Sequence, residues 1–279
     1  MSFGKVVNMS FKKYHFLTGF PRSGNTLLSA LLNQNPKFYS SPLSPVCEHM
    51  HRLQATLKHE HGLRNKENQV RTEFILKNYI NTFYSDVDKP VIFDREKQWL
   101  TPPNLPLILN YVTPNPKILF TVRNYLDIMA SFVRLSSNEI QNELNKLELF
   151  INDLPINDQI AEYLSRLNSS LDLGMMCVRM ALRPEYKQFV HIIDYDDLIT
   201  DPFNTMKNIY LFLEEDFFMH DFNNIKKLEI DYDEKVNQNP LTHFVNSSIT
   251  PSKTNYKDVF SDSIIKKYSN MNIWKNNVN

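Results

Sequence analysis

Near the amino end of this 279-residue chain, one short stretch combines two glycines, a cation and two hydroxyls: Gly19-Phe20-Pro21-Arg22-Ser23-Gly24-Asn25-Thr26. Its spacing, Gly-x4-Gly-x-Thr, is that of a phosphate-binding P-loop, except that Asn25 stands where a lysine is usual. In such a loop the backbone N–H groups point inward, and the helix that follows adds the positive end of its dipole. Arg22 supplies a forked cation from a different position in the loop. The stretch therefore predicts a site for an anionic group.

The residues around this loop predict the elements that position it. A short apolar run, Tyr14–Thr18, precedes the loop as a predicted strand, and a helical pattern, Thr26–Leu32, follows it. Further apolar runs predict more strands, and most of them lack polar alternation, as expected of parallel strands covered on both faces. These strands are predicted at 37–40, 91–93, 117–122 and 190–193, and further helices at about 46–58, 67–84, 126–135, 158–182 and 203–213.

The alternation of strands and helices predicts the fold class. It indicates an α/β protein with one doubly wound domain around a central parallel sheet, of the P-loop, nucleoside-phosphate-binding type. We expect the whole chain, residues 1–279, to form this domain. The polar stretch at about 136–158 is expected to be a helical and loop excursion from the sheet.

A second group of polar residues follows the predicted strands. Arg123 comes directly after strand 117–122, and Ser131 shares a face of the next helix with Arg134, three residues further on. Asp94 and Arg95 close strand 91–93 in the same way. Because open α/β sheets bind ligands at the carboxyl ends of their strands, we expect these side chains near the glycine loop.

Three motifs resemble those of the sulfotransferase family that uses 3′-phosphoadenosine 5′-phosphosulfate (PAPS). Residues 21–26, Pro-Arg-Ser-Gly-Asn-Thr, are similar to the family's 5′-phosphosulfate loop. Arg123 at a strand end, with Ser131 eight residues later, resembles its 3′-phosphate signature. The block at 190–213, with Tyr195 and Asp-Pro at 201–202, is similar to its late strand and helix. The resemblance spans residues 14–215.

The resemblance implies a role for each matching residue. One group would bind the 5′-phosphosulfate: Arg22, Ser23, Gly24, Asn25 and Thr26. Within it, Arg22 would neutralise the charge that builds on the bridging oxygen as sulfur leaves it. Arg123 would clamp the 3′-phosphate, Ser131 would donate a hydroxyl to it, and Tyr195 would pack near adenine, although a purely structural tyrosine fits equally well. The implied activity transfers the sulfuryl group of PAPS, as co-substrate and without a metal, to a hydroxyl or amine of a small-molecule or carbohydrate acceptor.

Such a transfer also requires a base, because the acceptor must lose a proton to a carboxylate or histidine within hydrogen-bond reach. Glu48 is the nearest candidate by position, with His49 and His51 close by. A solvated helix face explains these three residues equally well. Glu48 is the expected catalytic base.

Two further contacts are implied by the resemblance. Arg95 matches a cation that contacts the transferring sulfuryl group in some relatives, so it joins Arg22 and Glu48 as an expected catalytic residue; a local salt bridge within residues 94–97 is the alternative. The stretch 243–253 resembles a late loop that folds over the nucleotide. Its expected contacts are Ser247, Ser248 and Lys253.

Composition limits the class of protein. The chain carries 31 Lys and Arg against 31 Asp and Glu, a balance that argues against a nucleic-acid partner. Its two cysteines are too few for a disulfide framework or a zinc site. It has no long apolar run that would span a membrane and no apolar run at its start like that of a signal peptide, so we expect a cytoplasmic protein without a membrane partner. The oligomeric state stays open.

Two other classes of function remain open. A P-loop kinase or NTPase would use Asp94 and Thr26 around Mg²⁺, although Asn25 removes the lysine that such proteins place on the terminal phosphates. A nucleotide-binding protein without a catalytic base is the other class. Binding of 3′-phosphoadenosine 5′-phosphate (PAP) rather than ATP·Mg²⁺ discriminates the leading interpretation from the kinase.

Overall fold

Residues 12–59, 65–135, 154–167, 169–226, 246–250 and 255–276 are described by the structure, a computed structural model. The strands are β1 (Lys13–Gly19), β2 (Phe38–Ser40), β3 (Val91–Arg95), β4 (Ile118–Val122) and β5 (Val190–Asp194). They form one parallel sheet in the order β2-β3-β1-β4-β5. The predicted α/β class with a central parallel sheet is confirmed.

The helices connect these strands and cover the sheet. They are α1 (Asn25–Leu32), α2 (Val46–His59), α3 (Lys66–Phe83), α4 (Tyr125–Leu135), α5 (Ile156–Leu164), α6 (Ser170–Ala181), α7 (Tyr195–Thr200), α8 (Pro202–Leu213) and α9 (Asp262–Tyr268). Between β3 and β4, a helical segment passes from Leu105–Leu107 into a π-helical turn, Ile108–Val112. Short 3-10 turns lie at Lys187–Phe189, Tyr256–Asp258, Ser269–Met271 and Ile273–Asn276.

The core lies on both faces of the sheet. Phe16 of β1, Ile92 of β3 and Phe120 of β4 pack on one face with residues of α2 to α6 and α9. Their neighbours Leu17, Phe93 and Leu119 pack on the other face with α1 and α8. Since successive residues of a strand point to opposite faces, burial of both faces makes the strands continuously apolar. This confirms the doubly wound arrangement.

The strand order determines where a ligand can enter. β1 is the middle strand, flanked by β3 and β4, and β4 pairs with it in the register Gly19 opposite Thr121. From β1 the chain runs to β2 on one side, whereas from β4 it runs to β5 on the other. The two connections diverge, so a crevice opens at the carboxyl ends of β1 and β4, as at other topological switch points. The glycine loop lies at this crevice.

Some element boundaries differ from the prediction. The helix predicted at 158–182 is wrong as one unit, because α5 ends at Leu164 and α6 begins at Ser170. The hydroxyl of Ser169 accepts a hydrogen bond from the backbone N–H of Asp172 (3.0 Å), so it caps a new helix and favours the break. Most of the excursion predicted at 136–158 lies outside the described residues.

Helices that could cross a membrane were sought over the part of the chain that the structure describes. Within it, no helix is both long enough and apolar enough to do so.

Candidate active site

The loop between β1 and α1 is tied to the neighbouring strand β4. The backbone N–H of Phe20 donates to the carbonyl of Thr121 (3.1 Å), and the Ser23 hydroxyl lies 2.6 Å from Thr121 Oγ1. The same hydroxyl donates to the carbonyl of Phe20 (2.6 Å), which closes the loop on itself. Ser23 is fully buried. Its side chain therefore shapes the loop, and only its backbone can face a ligand.

Both glycines of the loop are required by their surroundings. A Cβ atom at Gly19 would lie 2.2 Å from Thr121 Oγ1, so any side chain would separate β1 from β4. Gly24 has φ 91°, a conformation that side chains rarely adopt, and a Cβ there would lie 2.8 Å from Cδ2 of Tyr195. Arg22 also has a positive φ, 62°, in the left-handed region. Uncommon backbone conformations of this kind concentrate at functional sites.

Asn25 occupies the position of the usual P-loop lysine and does something different there. Its side-chain amide donates to the carbonyl of Phe20 at 2.8 Å and bridges the loop. Its Oδ1 atom is buried and has no hydrogen-bond partner among the described residues. Asn25 therefore stabilises the loop by a hydrogen bond and adds no positive charge to it.

Positive charge reaches the loop from three arginines instead. Arg22 Nε donates to Ser131 Oγ of α4 (3.2 Å). Arg123, directly after β4, donates from Nη1 to the carbonyl of Arg22 (3.2 Å). Arg95, the last residue of β3, donates from Nη2 to Thr26 Oγ1 at the start of α1 (3.0 Å). The three guanidinium groups converge from three separate segments.

These groups surround a cavity of about 360 Å³ at the carboxyl edge of the sheet. Its lining comprises residues 17–22 and 24–27, Leu43, residues 95–97, Arg123, Phe132, Ser170, Tyr195, Asn246 and residues 248–250. Of the late stretch that is predicted to fold over a nucleotide, residue 246 and residues 248–250 line the cavity, Ser248 among them, and Ser247 does not. Ser247 accepts a backbone hydrogen bond from Ile225 (2.7 Å), and Lys253 lies outside the described residues.

The electrostatics of the cavity favour an anion. Burial, together with the neighbouring charge of Arg123, lowers the pKa of Arg22 below its ordinary value. The Arg123 guanidinium is itself buried, and its Nε has no hydrogen-bond partner among the described residues. It lies over the ring of Tyr195, with 4.5 Å from Cζ to the ring centre, a cation–π contact. A bound anion would relieve the repulsion between Arg22 and Arg123 and supply an acceptor for the Arg123 Nε–H.

Asp94, next to Arg95, is held in the core. Its Oδ2 accepts hydrogen bonds from the hydroxyls of Ser44 and Tyr84 (both 2.6 Å), and its Oδ1 accepts one from the indole of Trp99 (2.7 Å). Burial raises the pKa of this carboxyl, while the three donors act in the opposite direction. Asp94 has no exposed surface. Through these hydrogen bonds Asp94 links β3 to Ser44 after β2, to Tyr84 after α3 and to Trp99 after β3. Asp94 is not among the residues that line the cavity.

The predicted base, Glu48, is not brought to the cavity. It lies on the exposed side of α2 and forms an ion pair with Arg52 (2.5 Å). His49 and His51 have partners elsewhere, at Tyr79 OH (2.6 Å) and Asn104 Oδ1 (2.8 Å). The role predicted for Glu48 stays a prediction that its position does not support.

Glu96 is the cavity residue that sequence reasoning missed. It is half-buried and lines the cavity between Arg95 and Lys97. A signal for it was present, because it directly follows the end of β3, where ligands of such sheets bind. Across the described residues, no group of three or more His, Cys, Asp and Glu side chains is arranged to hold a metal ion.

Fold and site together define an α/β protein of the P-loop type with a cationic cavity at the end of its middle strand. A model of the Sulfotransferase family matches residues 15–219, and the chain belongs to this family. The resemblance found in the sequence is confirmed. No curated protein matches the chain.

Solved sulfotransferases share the fold. Mouse sulfotransferase SULT7A1, complexed with PAP, aligns with a TM-score of 0.53 and 14% identity, over 94% of this chain and 85% of that chain. The sulfotransferase domain from the curacin biosynthetic pathway aligns with a TM-score of 0.50 and 17% identity, over 93% of this chain and 91% of that chain.

Proposed function

We propose that this protein transfers the sulfuryl group of PAPS to a hydroxyl or amine of a small-molecule or carbohydrate acceptor. The observation that carries the proposal is the convergence of Arg22, Arg95 and Arg123 on the glycine loop at the β1–β4 crevice. The loop and the strand end that bring them there are the segments whose motifs resemble the PAPS-dependent family. PAP, with which the mouse relative was crystallised, is the product that PAPS leaves after transfer.

The two ends of the nucleotide would bind to different parts of the cavity. The 5′-phosphosulfate would lie on the backbone of residues 22–26, at the start of α1, where N–H groups and the helix dipole favour an anion. The 3′-phosphate would lie on Arg123. Ser131, which is not among the described lining residues, would reach it only after Arg22 turns away from the Ser131 hydroxyl. Tyr195, which already stacks on Arg123, would flank the adenine. Ser23 would contribute only its backbone N–H to phosphosulfate binding, since its hydroxyl is hydrogen-bonded to Thr121 and Phe20.

The transfer itself would rest on the arginines. Sulfuryl transfer, like phosphoryl transfer, depends mostly on positioning and on stabilising charge in the transition state. Arg95, whose Nη2 donates a hydrogen bond to Thr26 Oγ1, would hold the sulfuryl oxygens. Arg22 would meet the bridging oxygen; in the structure its Nε is directed to Ser131, so this role requires the side chain to turn when the nucleotide binds. Three guanidinium groups supply the positive charge, so the proposal assigns no metal ion.

Two observations favour sulfuryl transfer over a kinase or NTPase. The carboxylate that would hold Mg²⁺ in such an enzyme, Asp94, is buried and occupied by three donors. The lysine that would hold the terminal phosphates is Asn25, whose amide bonds to the loop itself. Neither residue is placed to serve a triphosphate with its metal.

We place this activity in the cytoplasm, with no nucleic acid or membrane as partner. Cys47 and Cys177 are both buried free thiols, as is usual where disulfides are kept reduced. The equal numbers of acidic and basic residues give the chain no excess charge for a polyanionic surface.

The test is calorimetric binding of PAP together with release of PAP from labelled PAPS in the presence of alcohol, phenol and amine acceptors. We expect PAP to bind and adenosine 5′-phosphate, which differs from it only in lacking the 3′-phosphate, to bind more weakly. Each charge-assisted contact contributes about 1.5–3 kcal/mol, so the difference is expected to be roughly 10- to 150-fold. Equal affinity for the two nucleotides, or no binding of PAP, contradicts the proposal.

A further inference from the structure

The proposed transfer needs a group that removes the acceptor's proton, and the described lining of the cavity offers one carboxylate. Among the cavity-lining residues that the structure describes, Glu96 is the only Asp, Glu or His side chain. Glu48 is exposed and paired with Arg52, and Asp94 is enclosed by three donors. Proton removal by a positioned side chain requires reach first, and Glu96 alone of these three borders the cavity.

The backbone on either side of Glu96 is fixed, so its side chain starts from a defined place. The Glu96 N–H donates to the carbonyl of Leu17 in β1 (3.1 Å). The hydroxyl of Thr18 donates to the carbonyl of Lys97 (3.0 Å), and the N–H of Ser44 donates to the carbonyl of Arg95 (2.9 Å). Residues 95–97 are therefore held against β1, beside the loop that the 5′-phosphosulfate would occupy.

The surroundings also give Glu96 the chemistry of a base near neutral pH. Burial raises its pKa to about 7, with Asp94 and Glu48 acting in the same direction and Lys97 opposing them through its N–H and its charge. A base is most effective when its pKa lies near the working pH, because a large fraction of it is then deprotonated and still basic enough to accept a proton. An exposed glutamate would be a far weaker base.

We infer that Glu96 is the general base of this enzyme, an inference that rests on the proposed sulfuryl transfer. The acceptor O–H or N–H gives its proton to a carboxylate oxygen of Glu96 while its oxygen or nitrogen forms a bond to sulfur. The bond between sulfur and the bridging oxygen breaks, and its electron pair stays on the 5′-phosphate of PAP. Arg95, the preceding residue, holds the sulfuryl group whose acceptor Glu96 deprotonates.

The experiment compares wild type with Glu96→Gln, Glu96→Asp, Glu48→Gln and a control, Glu73→Gln, which replaces an exposed glutamate of α3. PAP release from labelled PAPS is measured with 4-methylphenol, with the more acidic 4-nitrophenol, and with water alone as acceptor. Glu96→Gln is expected to lower kcat with 4-methylphenol by about 100- to 10,000-fold. The loss with 4-nitrophenol at mildly alkaline pH is expected to be much smaller, because that acceptor is already ionised.

The remaining readouts separate a base from a structural residue. Glu96→Gln is expected to leave PAP affinity as in wild type and to abolish the rise of kcat/KM with pH that is centred at about 7 in wild type. Its Tm is expected to be no lower than that of wild type, because burial makes the ionised carboxylate unfavourable in the fold. Glu96→Asp is expected to restore part of the activity. A wild-type kcat in Glu96→Gln, an equal loss with both phenols, a parallel loss of PAP affinity, or loss of turnover in Glu48→Gln alone would overturn the inference.

Failure of the proposed function gives a different result. If wild type neither binds PAP nor releases it from PAPS, sulfuryl transfer itself is wrong and the base assignment falls with it. If wild type does both and Glu96→Gln matches it, only the assignment of Glu96 is wrong.

Discussion

Arg123 is bound on two sides: its guanidinium lies 4.5 Å from the centre of the Tyr195 ring, and its Nη1 donates to the carbonyl of Arg22 at 3.2 Å. The first contact joins the end of β4 to the start of α7, and the second joins it to the glycine loop. A cation held in this way is positioned before a ligand arrives, so less conformational entropy is lost on binding. The arrangement makes Arg123 the residue on which nucleotide affinity should depend most.

Replacement of Arg123 by Ala is expected to weaken PAP binding by roughly 10- to 150-fold, the value of one charge-assisted contact of about 1.5–3 kcal/mol. Arg123→Lys keeps the charge but loses the planar fork, and should recover only part of the affinity. Isothermal titration with PAP measures both. Tyr195→Phe keeps the ring beneath the guanidinium and serves as the matched control. An unchanged affinity in Arg123→Ala would show that the 3′-phosphate binds elsewhere.

Gly24→Ala is expected to destabilise the fold, because the new Cβ atom meets Tyr195 at 2.8 Å and φ is 91°. Replacing a glycine at positive φ costs more than about 1 kcal/mol in the free energy of unfolding. Urea denaturation of Gly24→Ala, Tyr195→Ala and the double variant separates the two causes. Removal of the ring should relieve the steric part, so the double variant is expected to be more stable than the sum of the single effects. If the two single effects on the free energy of unfolding simply add, the contact between the new Cβ atom and the Tyr195 ring contributes nothing to the loss of stability.

Arg95→Ala is expected to separate turnover from nucleotide binding. The guanidinium is proposed to hold the sulfuryl oxygens, which PAPS carries and PAP lacks. We therefore expect kcat to fall by roughly 10- to 150-fold while the Kd of PAP stays within about twofold. Steady-state kinetics and PAP titration on the same preparation measure the two effects, with Arg95→Lys as the conservative variant. A loss of PAP affinity as large as the loss of turnover would instead assign Arg95 to the phosphate.

The surroundings of Glu215, at the opposite end of the sheet, predict that acid pH destabilises the fold. The ring of His15 at 3.5 Å and the ammonium of Lys13 at 2.7 Å lower its pKa from 4.5 to about 2, against the effect of burial. A carboxyl whose pKa is lowered by folding stabilises the fold fully above its unfolded value. That stabilisation is lost as the pH falls from 4.5 towards about 2.

The measurement is the free energy of unfolding of wild type and Glu215→Gln as a function of pH. Their difference should be largest near neutral pH and should shrink through this acidic range. Glu73→Gln, an exposed glutamate on α3, should show no such trend. A difference that stays constant down to the lowest pH would mean that the carboxylate charge is not involved.

Local chemistry made part of this site predictable from the sequence. The loop spacing required a turn between a strand and a helix, and Arg123 followed a strand whose carboxyl end had to face the same edge. The features of the site that could not be predicted depend on contacts between segments that are distant in the sequence. The sequence does not show that Ser44, 50 residues away, helps to enclose Asp94, nor that Arg22 reaches Ser131, which is 109 residues away.

The base is the clearest example of this limit. Glu48 was expected from its distance along the chain to the glycine loop, but α2 turns that residue to solvent. Glu96 is much further from the loop in sequence and reaches the cavity because β3 pairs with β1, which places Leu17 opposite Arg95. Strand order, which decides such proximity, is a property of the whole sheet and cannot be read from a short motif.

Thermal unfolding with PAP and with ATP·Mg²⁺ at equal concentrations measures whether the cavity binds the nucleotide of PAPS. A ligand that binds only the folded protein raises Tm, and PAP at 100 times its Kd should raise it by roughly 4–5 °C. We expect a much smaller shift with ATP·Mg²⁺, and a reduced PAP shift in Arg123→Ala. Stabilisation by ATP·Mg²⁺ and none by PAP would mean that the cavity does not bind the nucleotide of PAPS.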